Sequence, residues 1–136
     1  MTVLFFANSF LEYGDHLRQK IEKIIESAQL IECSEIPRLT EHLLNRTADT
    51  QICIFCVEYE FDLDRLLTIQ NLLESVFIIL ILPYIDDDMI AKCHRLRSRF
   101  ISYPDTQFED VIALMNHLQW LSTEKNNPAH NCSGSQ

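Results

Sequence analysis

The chain has 136 residues, of which 47% are hydrophobic, and a formal net charge of −9 from 20 acidic residues against 11 lysines and arginines. The hydrophobic content excludes an intrinsically disordered chain, and the length fits a single domain with a substantial core. The negative charge opposes binding to nucleic acids or anionic membranes, except through a local basic patch.

Five apolar runs predict five β-strands. In chain order they are residues 3–7, 28–33, 52–57, 76–82 and 100–103. The third and fourth runs are continuous in Val, Ile, Leu, Phe and Cys instead of alternating with polar residues. Continuous runs are typical of parallel strands that helices cover on both faces. These two runs are therefore predicted to lie in the interior of a parallel sheet.

Segments with helical spacing of apolar residues separate and follow these runs, and predict five helices. Their stripes are Leu17, Ile21, Ile24, Ile25 and Ala28; Ile36, Leu39, Leu43 and Leu44; Leu63, Leu66, Leu67 and Leu73; Met89, Ile90, Cys93 and Leu96; and Phe108, Val111, Ile112, Met115 and Leu118. Asp15 and Ser34 are predicted to cap the first two helices. Thr106 and Glu109 fit a capping box for the fifth. Alternating strands and helices predict an α/β domain with a doubly wound parallel sheet.

The ends of the chain differ in character. The first ten residues, MTVLFFANSF, lack the cationic start of a signal peptide and are predicted to form a strand. Residues 122–136 are polar and carry no apolar periodicity, so they predict a flexible tail or linker after a domain at 1–121. No run approaches the roughly 18 apolar residues of a membrane span.

Five cysteines without a regular spacing predict reduced thiols and a cytoplasmic protein. Cys53 and Cys56 match the C-x-x-C pattern, which is found in redox and zinc sites. Within a strand, however, residues three apart point to opposite faces. We therefore expect these two thiols to be buried core groups, without a redox or metal role.

A ligand site in such a fold lies beyond the carboxyl ends of the strands. Here the last strand ends in Ser102-Tyr103-Pro104, within FISYPDTQFEDVIALMNHL. This segment resembles the receiver domain of response regulators, in which Thr/Ser-Lys-Pro is followed by an acidic helix start. The resemblance covers residues 1–121 and implies the flavodoxin-like strand order 2-1-3-4-5 with five helices.

A working receiver carries an acidic pair after the first strand and a phosphoacceptor aspartate at the end of the third. A Thr or Ser ends its fourth strand and a lysine its fifth, and the carboxylates bind Mg²⁺. The corresponding positions here are Ala7, Asn8, Cys56, Glu58, Leu82, Pro83 and Tyr103. They lack the acidic pair, the aspartate, the hydroxyl group and the lysine. The resemblance therefore implies a degenerate phosphorylation pocket, in a non-enzymatic pseudo-receiver without a cofactor or a resident metal.

A basic cluster predicts where such a module contacts its partners. Lys92, Arg95, Arg97 and Arg99 supply four of the 11 basic residues within eight positions. A solvated helix face also explains the cluster. In receivers, the surface formed by the fourth helix, the fifth strand and the fifth helix mediates dimerisation or partner contact. With Trp120 as an aromatic anchor, this surface is predicted to bind a second copy or an acidic protein, and neither membrane nor nucleic acid.

Two alternatives remain open at this stage. One is an atypical phosphorylatable receiver that uses Glu58, Asp62 or Asp64. The other is a small flavodoxin-like enzyme or ligand-binding module, although a chain with two glycines has little means to wrap a phosphate. The run 86–88 of three aspartates suggests a metal site or, more simply, the acidic first turn of the fourth helix.

Overall fold

The computed structural model describes residues 2–8, 11–25, 30–45 and 51–125. Its strands and helices alternate along the chain. They are β1 (Thr2–Phe6), α1 (Glu12–Glu22), β2 (Leu30–Cys33), α2 (Ile36–Leu44), β3 (Gln51–Cys56), α3 (Glu60–Leu67), β4 (Phe77–Ile81), α4 (Asp87–Arg95), β5 (Phe100–Ser102) and α5 (Glu109–Lys125). Short 3₁₀ turns lie at Gln70–Leu73 and Pro104–Thr106.

The five strands form one parallel sheet in the order β2-β1-β3-β4-β5. Every residue of β3 is buried, and so is every residue of β4 except the half-buried Phe77. This burial explains the continuous apolar composition of the two runs. The predicted fold class, strand order and number of helices are confirmed.

Two helical layers cover the sheet. Helices α2, α3 and α4 pack on one face, where Leu39, Leu63 and Met89 belong to one core cluster. Helices α1 and α5 pack on the other face, where Leu17 and Val111 belong to a second cluster. Because successive strand residues point to opposite faces, each strand contributes to both clusters.

The pair Cys53 and Cys56 follows this alternation. Cys53 belongs to the cluster beneath α2, α3 and α4, whereas Cys56 belongs to the cluster beneath α1 and α5. Both side chains are buried and both thiols are free. The expectation that these two sulfur atoms face away from each other is confirmed.

The predicted caps of the first two helices are wrong by a few residues. Helix α1 begins at Glu12 after Leu11, and Asp15 lies in its first turn, where its carboxylate pairs with Arg18 at 3.1 Å. The residue that precedes α2 is Glu35 and not Ser34, because the extended backbone continues one residue further. Pro37 lies in the opening turn of α2, as a residue without a free backbone N–H can.

The fifth helix begins later than the predicted capping box required. Pro104 starts a 3₁₀ turn that ends at Thr106, and Gln107 and Phe108 then adopt positive φ angles of 54° and 64°. Helix α5 therefore starts at Glu109, and Thr106 does not occupy its N-cap. The third apolar stripe, predicted to lie on one helix, is divided between two elements. Helix α3 ends at Leu67, and Leu73 lies in a separate 3₁₀ turn.

At the other boundaries, the strands match the predicted runs to within one or two residues. Residues 26–29, including Ala28 of the predicted second run, lie outside the described residues. The domain boundary predicted after residue 121 falls within α5, which continues to Lys125. The rest of the predicted tail lies outside the described residues.

Within the described ranges, no helix has the length and apolar character needed to cross a bilayer.

Helix α4 ends in a tight reversal that places Arg97 in a left-handed conformation. The φ angle of Arg97 is 60°, its N–H donates to the carbonyl of His94, and the N–H of Ser98 donates to the carbonyl of Cys93. These two hydrogen bonds define a Schellman motif, whose left-handed position glycine usually occupies because it has no Cβ.

We expect Arg97→Gly to raise the free energy of unfolding by about 1 kcal/mol, because the left-handed conformation costs a residue with a Cβ about that much. The matched control is Arg95→Gly within α4, which should lower it by a similar amount of about 0.5–1 kcal/mol. Urea unfolding of both variants measures the two effects. Destabilisation by Arg97→Gly would contradict this assignment.

Candidate functional site

The carboxyl edge of the sheet is where the fold places a site. The sheet order reverses between β1 and β3, so the ends of these two strands flank the switch point. Ala7 and Asn8 follow β1, and Cys56 ends β3. The geometry around these residues decides what chemistry the edge supports.

Tyr13 on the first turn of α1 reaches across this edge. Its hydroxyl contacts the main-chain carbonyl oxygens of Val57 and of Ile81, the second at 3.2 Å. Since a phenol has one proton, the two carbonyls share a single donor. The tyrosine ring stacks on Phe108 at the start of α5, with ring centroids 6.2 Å apart. Tyr13 therefore ties α1 to the ends of β3 and β4 and to α5.

Gly14 brings α1 close to the ends of β1 and β3. A Cβ atom placed on Gly14 would lie 3.1 Å from the Cβ of Ala7 and 3.9 Å from the Sγ of Cys56. Gly14 is itself buried. The ends of the two strands thus face the backbone of a helix, and glycine is needed here for close approach and not for its φ angle.

Cys56 and Tyr13 are both held in their neutral forms. Burial raises the pKa of the Cys56 thiol well above its ordinary value. Burial raises the pKa of Tyr13, with smaller contributions from Cys56, once its thiol has ionised at high pH, and from the carboxylates of Asp62 and Glu58. A buried neutral thiol is a poor nucleophile and a poor metal ligand. Neither group supplies negative charge near the switch point at neutral pH.

The carboxylates near the end of β3 serve local structure. Asp62 accepts hydrogen bonds of 3.0 Å from the backbone N–H groups of Glu58 and Tyr59, which fixes the start of α3. Asp64 pairs with Lys92. Glu58 is half-buried and lies beyond the strand end. Two of the three acids that the sequence offered as phosphoacceptors are thus engaged in folding contacts.

The ends of β4 and β5 carry no receiver-like polar pair. Leu82 is buried, and its N–H donates to the carbonyl of Ser102 at 2.9 Å. Pro83 follows it, also without a hydroxyl group. The half-buried Tyr103 packs against the core beneath α2, α3 and α4. Ser102 points instead to Asp110 of α5 and donates to its carboxylate at 2.8 Å.

The structure therefore brings part of the predicted pocket together. Ala7 and Cys56 meet at Gly14, whereas Tyr103 turns to the opposite face and Glu58 lies past the strand end. Tyr13 was not predicted as a site residue. The sequence feature that could have indicated it is its position: Tyr13 is a large aromatic residue directly before Gly14, one of the two glycines of the chain, in the first turn of α1.

A small cavity of about 220 Å³ opens beside the switch point, on the side of α2 and α3. Its polar lining includes Asn8, Glu35, Asp62 and Arg65, with Cys56 at one wall. The lining carries two carboxylates and one guanidinium group, and Asp62 is already used by the start of α3. In the described residues, the group of at least three potential metal-ligating acids, thiols or imidazoles that lie close together is at Glu60, Asp86 and Asp88, and not in this cavity.

The three consecutive aspartates form the start of α4. Asp86 is the N-cap, and its Oδ1 accepts a 3.0 Å hydrogen bond from the N–H of Met89. Asp87 and Asp88 follow in the first turn, where the helix dipole favours them. The interpretation as an acidic helix start is confirmed. Carboxylate oxygens of Glu60, Asp86 and Asp88 also lie within 4.8 Å of one another.

The predicted basic surface is divided by the structure. Lys92 turns to α3, where its Nζ lies 2.7 Å from carboxylate oxygens of both Glu60 and Asp64. Hydrogen bonds to Asp64 and to Glu60 raise the pKa of Lys92. Arg95 and Arg97 are exposed. Lys92 is therefore a link between α3 and α4, and the exposed charge lies towards the end of α4.

The remaining members of that surface make aromatic contacts. The guanidinium of Arg99 lies 5.5 Å from the centroid of the Phe77 ring, at the first residue of β4. Trp120 is 55% exposed and stacks on His117 of its own helix, with centroids 6.2 Å apart. Of these two aromatic residues, Trp120 is the exposed one, which suits a contact surface, whereas Phe77 is half-buried against the core.

The buried thiols and the phenol make stability sensitive to alkaline pH. Burial raises the pKa of Cys93 from 9.0 to about 11, and raises those of Cys56 and Tyr13. A group whose pKa is higher in the folded protein than in the unfolded chain contributes its full stabilisation below the unfolded-state pKa. This contribution is lost as the pH rises through the folded-state pKa. We expect the free energy of unfolding to fall by about 2–4 kcal/mol between pH 8 and pH 10.5.

Urea unfolding at a series of pH values measures this fall. In Cys56→Ala the fall should be smaller by roughly 1–2 kcal/mol, since one ionising thiol is removed. A fall of the same size in both proteins would show that Cys56 ionises equally in the folded and unfolded states, contrary to its burial.

Comparison with solved structures identifies the fold. The chain is similar to a response regulator receiver domain from Rhodospirillum rubrum, with a TM-score of 0.59 and 11% sequence identity, over 86% of this chain and 90% of that one. At this identity the likeness concerns the fold alone. No protein-family model matches the chain, and no curated protein matches its sequence significantly. The protein thus has a receiver-like α/β fold.

Proposed function

We propose that the protein is a receiver-like regulatory module of signal transduction that acts through protein–protein contact, without aspartyl phosphorylation. The observation that carries this proposal is the packing of Tyr13 and Gly14 of α1 against the ends of the strands, where Cys56 is buried. A fold shared with receivers makes signalling the first function to test, although a fold alone does not define a function.

The argument against phosphoryl transfer is chemical. Transfer to a receiver needs a carboxylate nucleophile, Mg²⁺ held by oxygen ligands, and a cation near the phosphoryl group. Ala7 offers a methyl group, Cys56 a buried neutral thiol, and Tyr103 a side chain packed into the core. We therefore propose no catalytic activity, no cofactor and no resident metal for this domain, and place it in the cytoplasm, where its free thiols stay reduced.

Incubation with acetyl phosphate and Mg²⁺, followed by intact-protein mass spectrometry, tests the proposal. We expect no added phosphoryl group. An adduct that disappears in Glu58→Gln, but persists in the control Glu41→Gln on α2, would contradict the proposal and favour an atypical phosphorylatable receiver. A flavin or nucleotide that copurifies with the protein would favour the flavodoxin-like alternative.

We further propose that the partner surface includes the end of α4, β5 and α5, and that a second copy or an acidic protein binds there. Arg95 and Arg97 are exposed in a chain of net charge −9. A local basic face on an acidic protein attracts acidic surfaces and speeds their association. Trp120 supplies an exposed aromatic group on α5.

Reversing the charge of Arg95 and Arg99 to glutamate should weaken self-association or partner binding roughly tenfold or more, with little effect on folding, because both side chains are exposed. Sedimentation velocity at several protein concentrations measures self-association. The control is Arg38→Glu on α2, an exposed arginine outside this surface. Identical sedimentation of the double variant and of wild type, together with unchanged partner binding, would remove the basic surface from the proposal.

A further inference from the structure

A second surface of this protein combines exposed apolar groups with negative charge. Four of the seven large apolar side chains exposed in the described part of the chain lie at the carboxyl edge of β3 and β4. Their exposed fractions are 55% for Tyr59, 48% for Phe61, 57% for Tyr84 and 75% for Ile85. We call these four residues the rim patch.

The fold holds the rim patch together. Strands β3 and β4 are paired neighbours, so the loops that follow them are adjacent. Glu60 lies between Tyr59 and Phe61, and Asp86 directly follows Ile85. Carboxylate oxygens of Glu60, Asp86 and Asp88 lie within 4.8 Å of one another. The two halves of the rim patch therefore meet at a group of carboxylates.

The aromatic half is pre-organised. The rings of Tyr59 and Phe61 stack with centroids 5.4 Å apart and planes 11° apart. The guanidinium of Arg65 lies 5.0 Å above the Phe61 ring. Rigid exposed aromatics lose little conformational entropy on binding, which is typical of residues that anchor an interface.

The charge around the rim patch is strongly negative. Seven of the 20 acidic residues of the chain lie here, namely Glu58, Glu60, Asp62, Asp64, Asp86, Asp87 and Asp88. Lys92 pairs with Glu60 and Asp64. In the described residues, no basic side chain forms an ion pair with the three aspartates at the start of α4. The surface thus keeps uncompensated negative charge beside exposed apolar area.

We propose that the rim patch binds a basic amphipathic segment of a partner protein, in which lysine or arginine alternates with large apolar residues. The apolar side chains would cover the rim patch, and the cations would pair with the aspartates. The protein's own contacts show both interactions, in Arg65 above Phe61 and in Lys92 between Glu60 and Asp64. Acidic peptides and nucleic acids carry the wrong charge for this surface.

This surface is separate from the basic end of α4, and the proposal holds whether or not the domain self-associates or is phosphorylated. The probe is a fluorescein-labelled synthetic peptide with lysine and leucine at helical spacing. Its control is a peptide in which glutamate replaces every lysine. Fluorescence anisotropy at low and at physiological salt gives both affinities for the full chain.

Two variants separate the apolar and the charged contributions. Tyr84→Ser with Ile85→Ser removes exposed apolar area without touching the core. Asp87→Asn with Asp88→Asn removes two charges and leaves the N-cap Asp86 in place. Their matched controls are Leu44→Ser, exposed at the end of α2, and Glu41→Gln with Glu74→Gln, two exposed acids elsewhere.

We expect the wild type to bind the basic peptide and not the acidic one, and the affinity to fall as salt rises. The serine pair should weaken binding roughly tenfold or more, and the asparagine pair several-fold. The control variants should bind as wild type does.

Three outcomes would overturn the proposal. They are no binding of the basic peptide by wild type, equal losses in the rim-patch variants and their matched controls, and dissociation of a homodimer by the serine pair. The last would identify a second copy of this chain as the occupant.

Discussion

Replacing Cys56 by aspartate is expected to lower the free energy of unfolding by about 3–5 kcal/mol at pH 7, because it places an unpaired charge in a buried site. The side chain at this position is 4% exposed and lies beside Gly14 and Tyr13. No cation forms an ion pair or hydrogen bond at this position in the described residues, although Arg65 lines the same small cavity, and Tyr103, at the receiver's lysine position, packs elsewhere. An aspartate at this position would be almost completely removed from solvent.

The sign of the pH dependence follows from the same burial. A buried aspartate has a folded pKa above its ordinary value of about 3.9. The folded protein therefore keeps its stability below about pH 4 and loses it as the pH rises through the raised pKa. Urea unfolding at pH 4.5 and pH 7 measures the difference between the variant and wild type.

Cys56→Ser is the control for polarity without charge, and should cost about 1–2 kcal/mol at both pH values. If Cys56→Asp cost less than about 1 kcal/mol with no pH dependence, the position would be a solvated pocket and not a packed one. That result would contradict the physical basis of the proposed function.

Tyr13→Ala is expected to lower the free energy of unfolding by about 2–4 kcal/mol, through loss of a largely buried ring and of the hydrogen bond to Val57 and Ile81. The ring also packs on Phe108, which starts α5. Tyr13→Phe, which keeps the ring, should cost about 1 kcal/mol, the typical net value of a hydrogen bond.

The matched control for Tyr13 is Tyr84→Ala, in which the tyrosine is 57% exposed and should contribute less than about 0.5 kcal/mol. Guanidinium unfolding followed by circular dichroism compares the three variants. Equal effects of Tyr13→Ala and Tyr84→Ala would mean that Tyr13 does not hold the strand ends together, and that the edge is open to a ligand.

Local pattern was sufficient to predict the architecture. Strands β3 and β4 were recognisable because burial on both faces demands continuous apolar residues, and the divergence of Cys53 and Cys56 follows from the two-residue repeat of a strand. The start of α4 was also predictable, since three consecutive aspartates complement a helix N-terminus.

Contacts between distant segments could not be predicted in this way. Nothing near Lys92 in the sequence indicates that it pairs with Glu60 and Asp64, 32 and 28 positions earlier. Likewise, the hydroxyl of Tyr13 reaches carbonyl groups that lie 44 and 68 positions later in the chain. Such pairs depend on the packing of helices against the sheet, which a periodic pattern does not specify.

Helix ends were predicted least well, for a related reason. Arg97 adopts a left-handed conformation that its residue type does not indicate, and α5 is delayed by two further residues with positive φ. Both deviations lie beside β5, which belongs to the surface predicted to bind a partner. The exposed aromatics of the rim patch are recognisable in the sequence only afterwards, as apolar residues interspersed with acids at the starts of α3 and α4.

These observations separate the carboxyl edge into two parts with different surroundings. The ends of β1 and β3 are packed by α1, whereas the loops after β3 and β4 expose apolar and acidic groups. The proposed partner contacts would therefore not need a reactive pocket between these two parts. Partner contact and phosphoryl chemistry are physically separable properties of this fold.

The most direct test of the central claim is a titration of the isotope-labelled protein with Mg²⁺ and beryllofluoride, a mimic of a phosphoryl group, monitored by NMR. We predict that the amide resonances of Ala7, Cys56, Val57 and Tyr103 stay unchanged, because these strand ends hold no carboxylate that binds the mimic. Saturable shifts of these resonances that require both Mg²⁺ and beryllofluoride would show a working phosphoryl pocket and contradict the account.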